Sequence, residues 1–228
     1  MNNTRKIKAV LFDLGNTLVY SCPEETFKEI LEAHGIVKPV DVVKEAMSRG
    51  NREFDIEKHI HLSAHEFYTQ WNTIELKHIG ITDCEIARKL AEDIDSQWFD
   101  YAQIHAYPDV KETLKKLKQK GLKLGIITGG FEEDVERILP KVGLEAFFDV
   151  YVGANTVGKR KPHPQAFEHA LKLLRTQPTE AIFIGDQLEA DYLGAQSVGI
   201  KALLIIREGK PAASVESITS LREVFNFL

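Results

Sequence analysis

The chain has 228 residues, 43% hydrophobic and 28% charged, a composition that buries a real core and excludes a disordered chain. Lys and Arg number 29 against 34 Asp and Glu, and the formal charge of −5 disfavours nucleic acid and anionic membranes as partners. No apolar run reaches the ~20 residues of a membrane helix, and the cysteines, Cys22 and Cys84, lack both a disulfide framework and zinc-ligand spacing, so a reducing cytoplasm is the expected compartment.

In chain order, the first apolar run, residues 7–14, reads as a buried strand that ends in a charged turn at Asp13. Further runs close on punctuation: residues 122–127 before Thr128-Gly129-Gly130, residues 150–153, residues 181–184 before Gly185-Asp186, and residues 202–206. Between them Val110, Leu114 and Leu117, then Val135, Ile138, Leu139 and Val142, then Phe167, Ala170, Leu171 and Leu174 repeat at helical spacing. Gly121 and Gly143 read as C-terminal caps. This alternation predicts an α/β fold, a Rossmann-like doubly wound parallel sheet covered on both faces. The stretch from Ser21 to His105 breaks the pattern. There Phe27, Ile30 and Leu31, then Val42, Val43, Ala46 and Met47, then Phe67, Trp71 and Ile74, then Ile86, Leu90, Ile94 and Trp98 mark helices without a strand. The expected organisation is a core of residues 1–19 and 106–228 with an inserted helical domain over 20–105.

Open parallel sheets bind ligands beyond the carboxyl ends of their strands. Those exits read Asp13-Leu14-Gly15-Asn16-Thr17, Thr128-Gly129-Gly130, Gly158-Lys159-Arg160-Lys161-Pro162, and Gly185-Asp186 followed by Asp191. Acids, a hydroxyl and a lysine therefore converge on one end of the sheet. Each also has a plainer reading: Asp13 as a strand-end turn, Thr128 as part of a turn before a helix, Asp191 as an acid near a helix N-terminus, and Lys161 as solvated surface. His61 and His65 enclose Leu62-Ser63-Ala64, which supplies no metal-site glutamate, and they read as flanking a helix start.

In order along the chain, four segments resemble the motifs of the haloacid dehalogenase superfamily. They are Phe12-Asp13-Leu14-Gly15-Asn16-Thr17-Leu18, Ile126-Ile127-Thr128-Gly129, Lys161-Pro162-His163-Pro164-Gln165-Ala166-Phe167, and Gly185-Asp186-Gln187-Leu188-Glu189-Ala190-Asp191. The insertion between the first two is similar to that family's helical cap of the first type. The resemblance implies Asp13 as a nucleophile that forms an aspartyl-phosphate, with Thr128 and Lys161 as its catalytic partners. It also implies substrate binding by Gly129, Gly130 and Asn16, and Mg2+ held by Asp13, the Gly15 carbonyl, Asp186 and Asp191. The chemistry is consistent: a hydroxyl-plus-amide nest suits phosphoryl oxygens, a lysine offsets the charge of the transferring group, and clustered acids need a cation before a phosphate can approach. Asp191 can order a metal-bound water or orient Lys161.

One position departs from the resemblance. Most phosphatases of that family carry a second Asp two residues after the nucleophile, which protonates the leaving group; Gly15 stands there and performs no proton chemistry. Some sugar-phosphate phosphatases of the family share the glycine. Tyr20 and His105, at the two crossings into the insertion, are placed to reach the site and otherwise read as packed hinge residues. The leading expectation is a Mg2+-dependent phosphomonoesterase of a small phosphorylated molecule, a monomer or homodimer with no nucleic-acid or membrane partner. The alternatives are a 2-haloacid dehalogenase, which the resemblance associates with Ser and Asn in place of Gly185-Asp186; a phosphonatase with a Schiff-base lysine among Lys28, Lys44 and Lys58; and a catalytically weak protein that binds a phosphometabolite or a partner.

Overall fold

In the computed structural model, which describes residues 6–209 and 215–228, the first apolar run becomes β1 (Ala9–Phe12), buried along its whole length. A short β2 (Val19–Tyr20) follows, and then the helices α1 (Pro23–Ala33), α2 (Val40–Glu53), α3 (Ile56–His59), α4 (Ala64–Ile79) and α5 (Cys84–Tyr101). The chain returns as β3 (His105–Ala106), antiparallel to β2, with Tyr20 opposite His105. Alternation resumes with α6 (Val110–Gln119), β4 (Lys123–Ile127), α7 (Glu132–Val142), β5 (Val150–Val152), α8 (Ala154–Val157), α9 (Pro164–Leu174) and β6 (Ala181–Gly185). A π-helical turn (Leu188–Leu193), α10 (Gly194–Ser197), β7 (Lys201–Ile205) and β8 (Ser217–Ile218) complete the sheet.

The sheet order is β5-β4-β1-β6-β7-β8, and every pairing in it is parallel. The chain winds outward from β1 through β4 to β5 on one side and through β6 and β7 to β8 on the other. That makes β1 the point where strand order reverses, the place a ligand crevice forms in such sheets. Phe12 is level with Ile126 and Ile184, so the residues that follow these strands emerge side by side. Behind them α9 packs Phe167, Ala170 and Leu171 into a core with Leu11 and Phe183, and the Phe167 and Phe183 rings meet edge to face at 5.2 Å.

By its internal contacts the chain divides into two units: one runs through Tyr20 and resumes at His105, and the other is Ser21–Ile104. The helical unit has its own core, in which Phe27, Ile30 and Leu31 of α1 meet Val43 and Ala46 of α2, Leu76 of α4 and Ile94 of α5. α4 starts on a capping box between Ser63 and Glu66, and His65 of its first turn bonds Asp95 of α5 at 2.6 Å, a tie between helices. Its buried stripe differs from the expected Phe67, Trp71 and Ile74: it is Phe67, Thr69, Asn72, Glu75, Leu76 and Ile79. The reason is that α4 packs against both α2 and α5, which widens its buried face beyond one apolar stripe, while Trp71 lies at the edge, stacked on Phe54 at 5.3 Å. Val42 and Ile86, both expected in the core, are instead exposed. Among the described residues no helix is long and apolar enough to cross a membrane.

Candidate active site

Asp13 leaves β1 with its N–H donating to the Ile184 carbonyl at 2.9 Å, which extends the β1–β6 ladder one residue past the strand. Asp186 directly follows β6. Lys161 comes from the loop before α9, through a cis bond to Pro162, and Asp191 from the π-helical turn. The Lys161 Nζ lies 2.6 Å from Asp13 Oδ1 and 2.5 Å from Asp191 Oδ1, and all three side chains are at least nine-tenths buried. Charges so far from water persist only when paired. Asp191 uses both oxygens, since Oδ2 accepts from the Gln187 N–H at 3.0 Å. A Cβ on Gly185 would overlap the Asp191 carboxylate, so the glycine that ends β6 makes room for this acid. Asp191 sits in a π-helical turn and not in the first turn of an α-helix as expected, because a wider turn separates β6 from α10.

Burial alone would lower the Lys161 pKa, but the charges of Asp13 and Asp191 and two short hydrogen bonds outweigh it and hold the ammonium above the usual lysine range. Burial lifts the Asp13 carboxyl above the usual carboxylate range, a rise that Asp191 reinforces and Lys161 opposes. Burial, and then the charges of Asp13 and Asp191, push Asp186 up to about 6. Asp186 Oδ1 is buried and has no hydrogen-bond partner among the described residues. Carboxylate oxygens of Asp13, Asp186 and Asp191 lie within 4.8 Å of one another. Three acids with one ammonium between them, and one buried oxygen without a donor, form an oxygen set that fits a hard divalent cation.

The remaining expected residues divide. Gly129 lines a cavity of about 640 Å³ together with Asp13, Arg160, Lys161, Gln187 and Glu189. Among the described residues, Thr128, Gly130 and Asn16 do not line it. The Thr128 hydroxyl accepts from the Gly130 N–H at 3.1 Å, so one of the two amides expected to face a phosphoryl group is satisfied within its own turn. Asn16 takes a left-handed φ of 53°, and its N–H closes a tight turn onto the Val19 carbonyl at 2.7 Å. Gly15 is exposed in this turn, and a Cβ there would meet nothing within 4 Å. Its φ is outside the left-handed range, so the backbone does not require glycine. Tyr20 and His105 pack on each other, ring centroids 5.5 Å apart, and Tyr20 also packs on Tyr107 at 4.9 Å.

Sequence reasoning missed Arg160 and Arg207. Arg207 follows β7, a strand-exit position where it was open to discovery. Its Nη1 lies 2.9 Å from both oxygens of Asp109, its Nε donates to the Thr17 carbonyl at 3.2 Å, and its guanidinium lies 4.0 Å over the Tyr107 ring. It thereby braces the loop that follows Asp13.

Comparison with known proteins agrees with this architecture. Glyceraldehyde 3-phosphate phosphatase of Methanopyrus kandleri is 29% identical over 215 residues, 90% of this chain and 85% of that protein. Pyrophosphatase PpaX of Bacillus cereus is 30% identical over 212 residues, 93% of this chain and 89% of that one. Among solved structures, a 2-haloacid dehalogenase from Pseudomonas syringae superposes with a TM-score of 0.72 at 27% identity, covering 96% of this chain and 97% of that chain. The model of the haloacid dehalogenase-like hydrolases matches residues 7–199, and the chain belongs to that family.

Proposed function

We propose that the chain is a Mg2+-dependent phosphomonoesterase of a small organic phosphate, with Asp13 as its nucleophile. The observation that carries this reading is the buried Asp13–Lys161–Asp191 chain with the donorless Asp186 oxygen beside it. Displacement of halide from a haloacid needs one carboxylate and no cation, whereas this site gathers three acids. The names of the two phosphatase relatives support the same choice. A phosphonatase's lysine would have to be sequestered to be nucleophilic at neutral pH, but Lys28 pairs with Glu32 at 3.2 Å, Lys44 pairs with Glu24 at 3.8 Å, and Lys58 is exposed.

Asp13, Asp186 and the Gly15 carbonyl would hold the metal, with Asp191 behind them fixing Lys161. Mg2+, when bound, offsets the charge of the substrate phosphate and polarises its oxygens. Asp13 Oδ attacks phosphorus, the bond from phosphorus to the ester oxygen breaks, and the leaving oxygen departs as an anion that takes its proton from water or from a hydroxyl of the substrate. Water then attacks the same phosphorus, releases inorganic phosphate and restores Asp13. Lys161 keeps Asp13 ionised and oriented through the first step and stabilises charge on the phosphoryl oxygens. Gly15 gives no proton, so substrates with good leaving groups or with a hydroxyl of their own react best. Phosphate release from p-nitrophenyl phosphate and a panel of sugar and acyl phosphates, with Mg2+ or with EDTA, tests the reading. Turnover that requires Mg2+ and disappears in Asp13→Asn supports it; release that survives either change contradicts it.

A further inference from the structure

Asp109 stands at the N-cap of α6, where an aspartate ordinarily accepts hydrogen bonds from the first amides of its own helix; here its side chain accepts none of them. The carboxylate turns to other parts of the chain instead. Both oxygens lie 2.9 Å from the Arg207 Nη1, and Oδ2 also accepts from the Ser220 hydroxyl at 2.9 Å and from the Leu221 N–H at 2.7 Å, where the C-terminal 3-10 helix (Leu221–Phe227) begins. Only 9% and 13% of the Arg207 and Asp109 side chains are exposed, a burial at which removing either partner leaves an uncompensated charge. From its other edge the same guanidinium donates to the Thr17 carbonyl, through Nε at 3.2 Å and through Nη2. Thr17 is fully buried, so this carbonyl depends on a protein donor, and among the described residues Arg207 supplies it. The neighbouring Leu18 carbonyl accepts from the Tyr107 N–H at 3.1 Å, and the Tyr107 ring lies 4.0 Å from the Arg207 guanidinium. Inside the turn the Leu18 and Val19 N–H groups donate to the Leu14 carbonyl at 2.9 and 3.1 Å. Leu14 directly follows Asp13, so a hold on Thr17 reaches the nucleophile through one closed turn of backbone. Bridging a carboxylate on one edge and a carbonyl on another takes the planar fork of a guanidinium, which a lysine does not have.

We infer that Arg207 is a positioning residue for the reaction: held by Asp109, it fixes the turn that follows Asp13 through the Thr17 carbonyl, and so ties the C-terminal segment to the reacting centre. The turnover arm of the test rests on the phosphatase reading, whereas the exchange arm needs no substrate. Arg207→Gln keeps a polar side chain but loses the charge and the two-edged hold, while Asp13, Lys161, Asp186 and Asp191 all remain. With p-nitrophenyl phosphate and saturating Mg2+, kcat falls roughly 10- to 100-fold, the scale of a misplacement of about 1 Å, and KM changes less than about threefold. A residue that only stabilised the fold would lower Tm and leave the kcat of the folded protein, measured well below Tm, at its wild-type value. Asp109→Asn weakens the hold from the other side and lowers kcat in the same way. The double variant is slower than Arg207→Gln by no more than about twofold, because the two residues act in one chain.

Amide hydrogen exchange in the substrate-free protein, followed by NMR, reads the turn itself. The Leu18 and Val19 amides exchange at least about tenfold faster in Arg207→Gln, beyond any change shared with the amides of β4 and β6. Thermal melting sets a temperature at which wild type and variant are both folded. If Arg207→Gln does not fold, Asp109→Asn carries both assays with the same signs. If no phosphate ester turns over but the turn amides respond, the phosphatase reading fails and Arg207 keeps its place as the clamp of this turn. A wild-type kcat in the folded variant, a loss carried by KM instead of kcat, or turn amides that quicken only in step with the strands would overturn the inference. So would a double variant whose loss is the product of the two single losses.

Discussion

Gly15→Asp restores a carboxyl at the position where the site lacks an acid. Its Cβ would meet nothing within 4 Å, and the backbone there is not left-handed. Folding stability should therefore change by no more than about 0.5 kcal/mol, the range for an exposed substitution without a clash. Three carboxylates already converge nearby, and their charge raises the pKa of a fourth, which favours the protonated form an acid catalyst needs. General acid catalysis contributes about 10²- to 10⁴-fold, a barrier change of about 3–5 kcal/mol, and the gain falls on the esters that most need a proton. The assay is kcat across a series of aryl and alkyl phosphates of rising leaving-group pKa. Wild type falls steeply along the series; Gly15→Asp flattens the slope by accelerating the alkyl esters while leaving the aryl esters near their original rates. A wild-type slope that is already flat would show that another group donates the proton. An unchanged slope in a folded Gly15→Asp protein would refute the assignment of position 15 as an empty acid site.

Glu75, buried in α4, has its pKa raised by burial to about 8 from an ordinary 4.5, against a smaller opposing pull from Trp71, whose indole nitrogen makes no hydrogen bond of sound geometry. The unfolded chain loses this proton first, so stability contributed by the neutral carboxyl is full below pH 4.5, declines through the interval up to about 8, and is flat above it. Glu75→Gln removes that decline, worth as much as about 5 kcal/mol, and should melt well above wild type at pH 9; equal Tm shifts at pH 5 and pH 9 would contradict it. Gly50→Ala would bring a Cβ to 2.5 Å from Glu75 Cγ, and about 1–3 kcal/mol should be lost in denaturant unfolding. Lys161→Met leaves Asp13 and Asp191 buried without their cation, which should cost about 3–5 kcal/mol in the metal-free protein; added Mg2+ should recover part of it in a thermal melt.

Much of this was legible in the chain because it rests on short-range patterns. Residues 181–184 closing on Gly185-Asp186 announce both a strand and an acid at its exit, and β1, β4, β5, β6 and β7 all match apolar runs to within two residues or so. The pairing of β2 with β3 was not legible. Each has two residues, too few for a period, and the 84 residues of Ser21–Ile104 separate them. α3, with four residues, and β8, with two, are also too short to show a period. The polar face of α4 was missed for a different reason: periodicity counts apolar residues, and Thr69, Asn72 and Glu75 are buried by neighbours on two sides. At the site, the residue types at strand exits indicated which groups converge, but not which are already satisfied. That the Gly130 amide is turned to Thr128, that Asp191 spends both oxygens and that Arg160 lies on Gly129 are facts of distance, which spacing along one chain does not encode.

The proposed function stands or falls with attack of Asp13 on phosphorus. Acid quenching of the protein mixed with acetyl phosphate and Mg2+, followed by peptide mapping in a mass spectrometer, tests it most directly. A base-labile phosphoryl group should appear on the Asp13 peptide within the first turnover, absent in Asp13→Asn and absent with EDTA. Phosphate released at full rate with no phosphoryl group trapped on Asp13, or a phosphoryl group found on another residue, would contradict it.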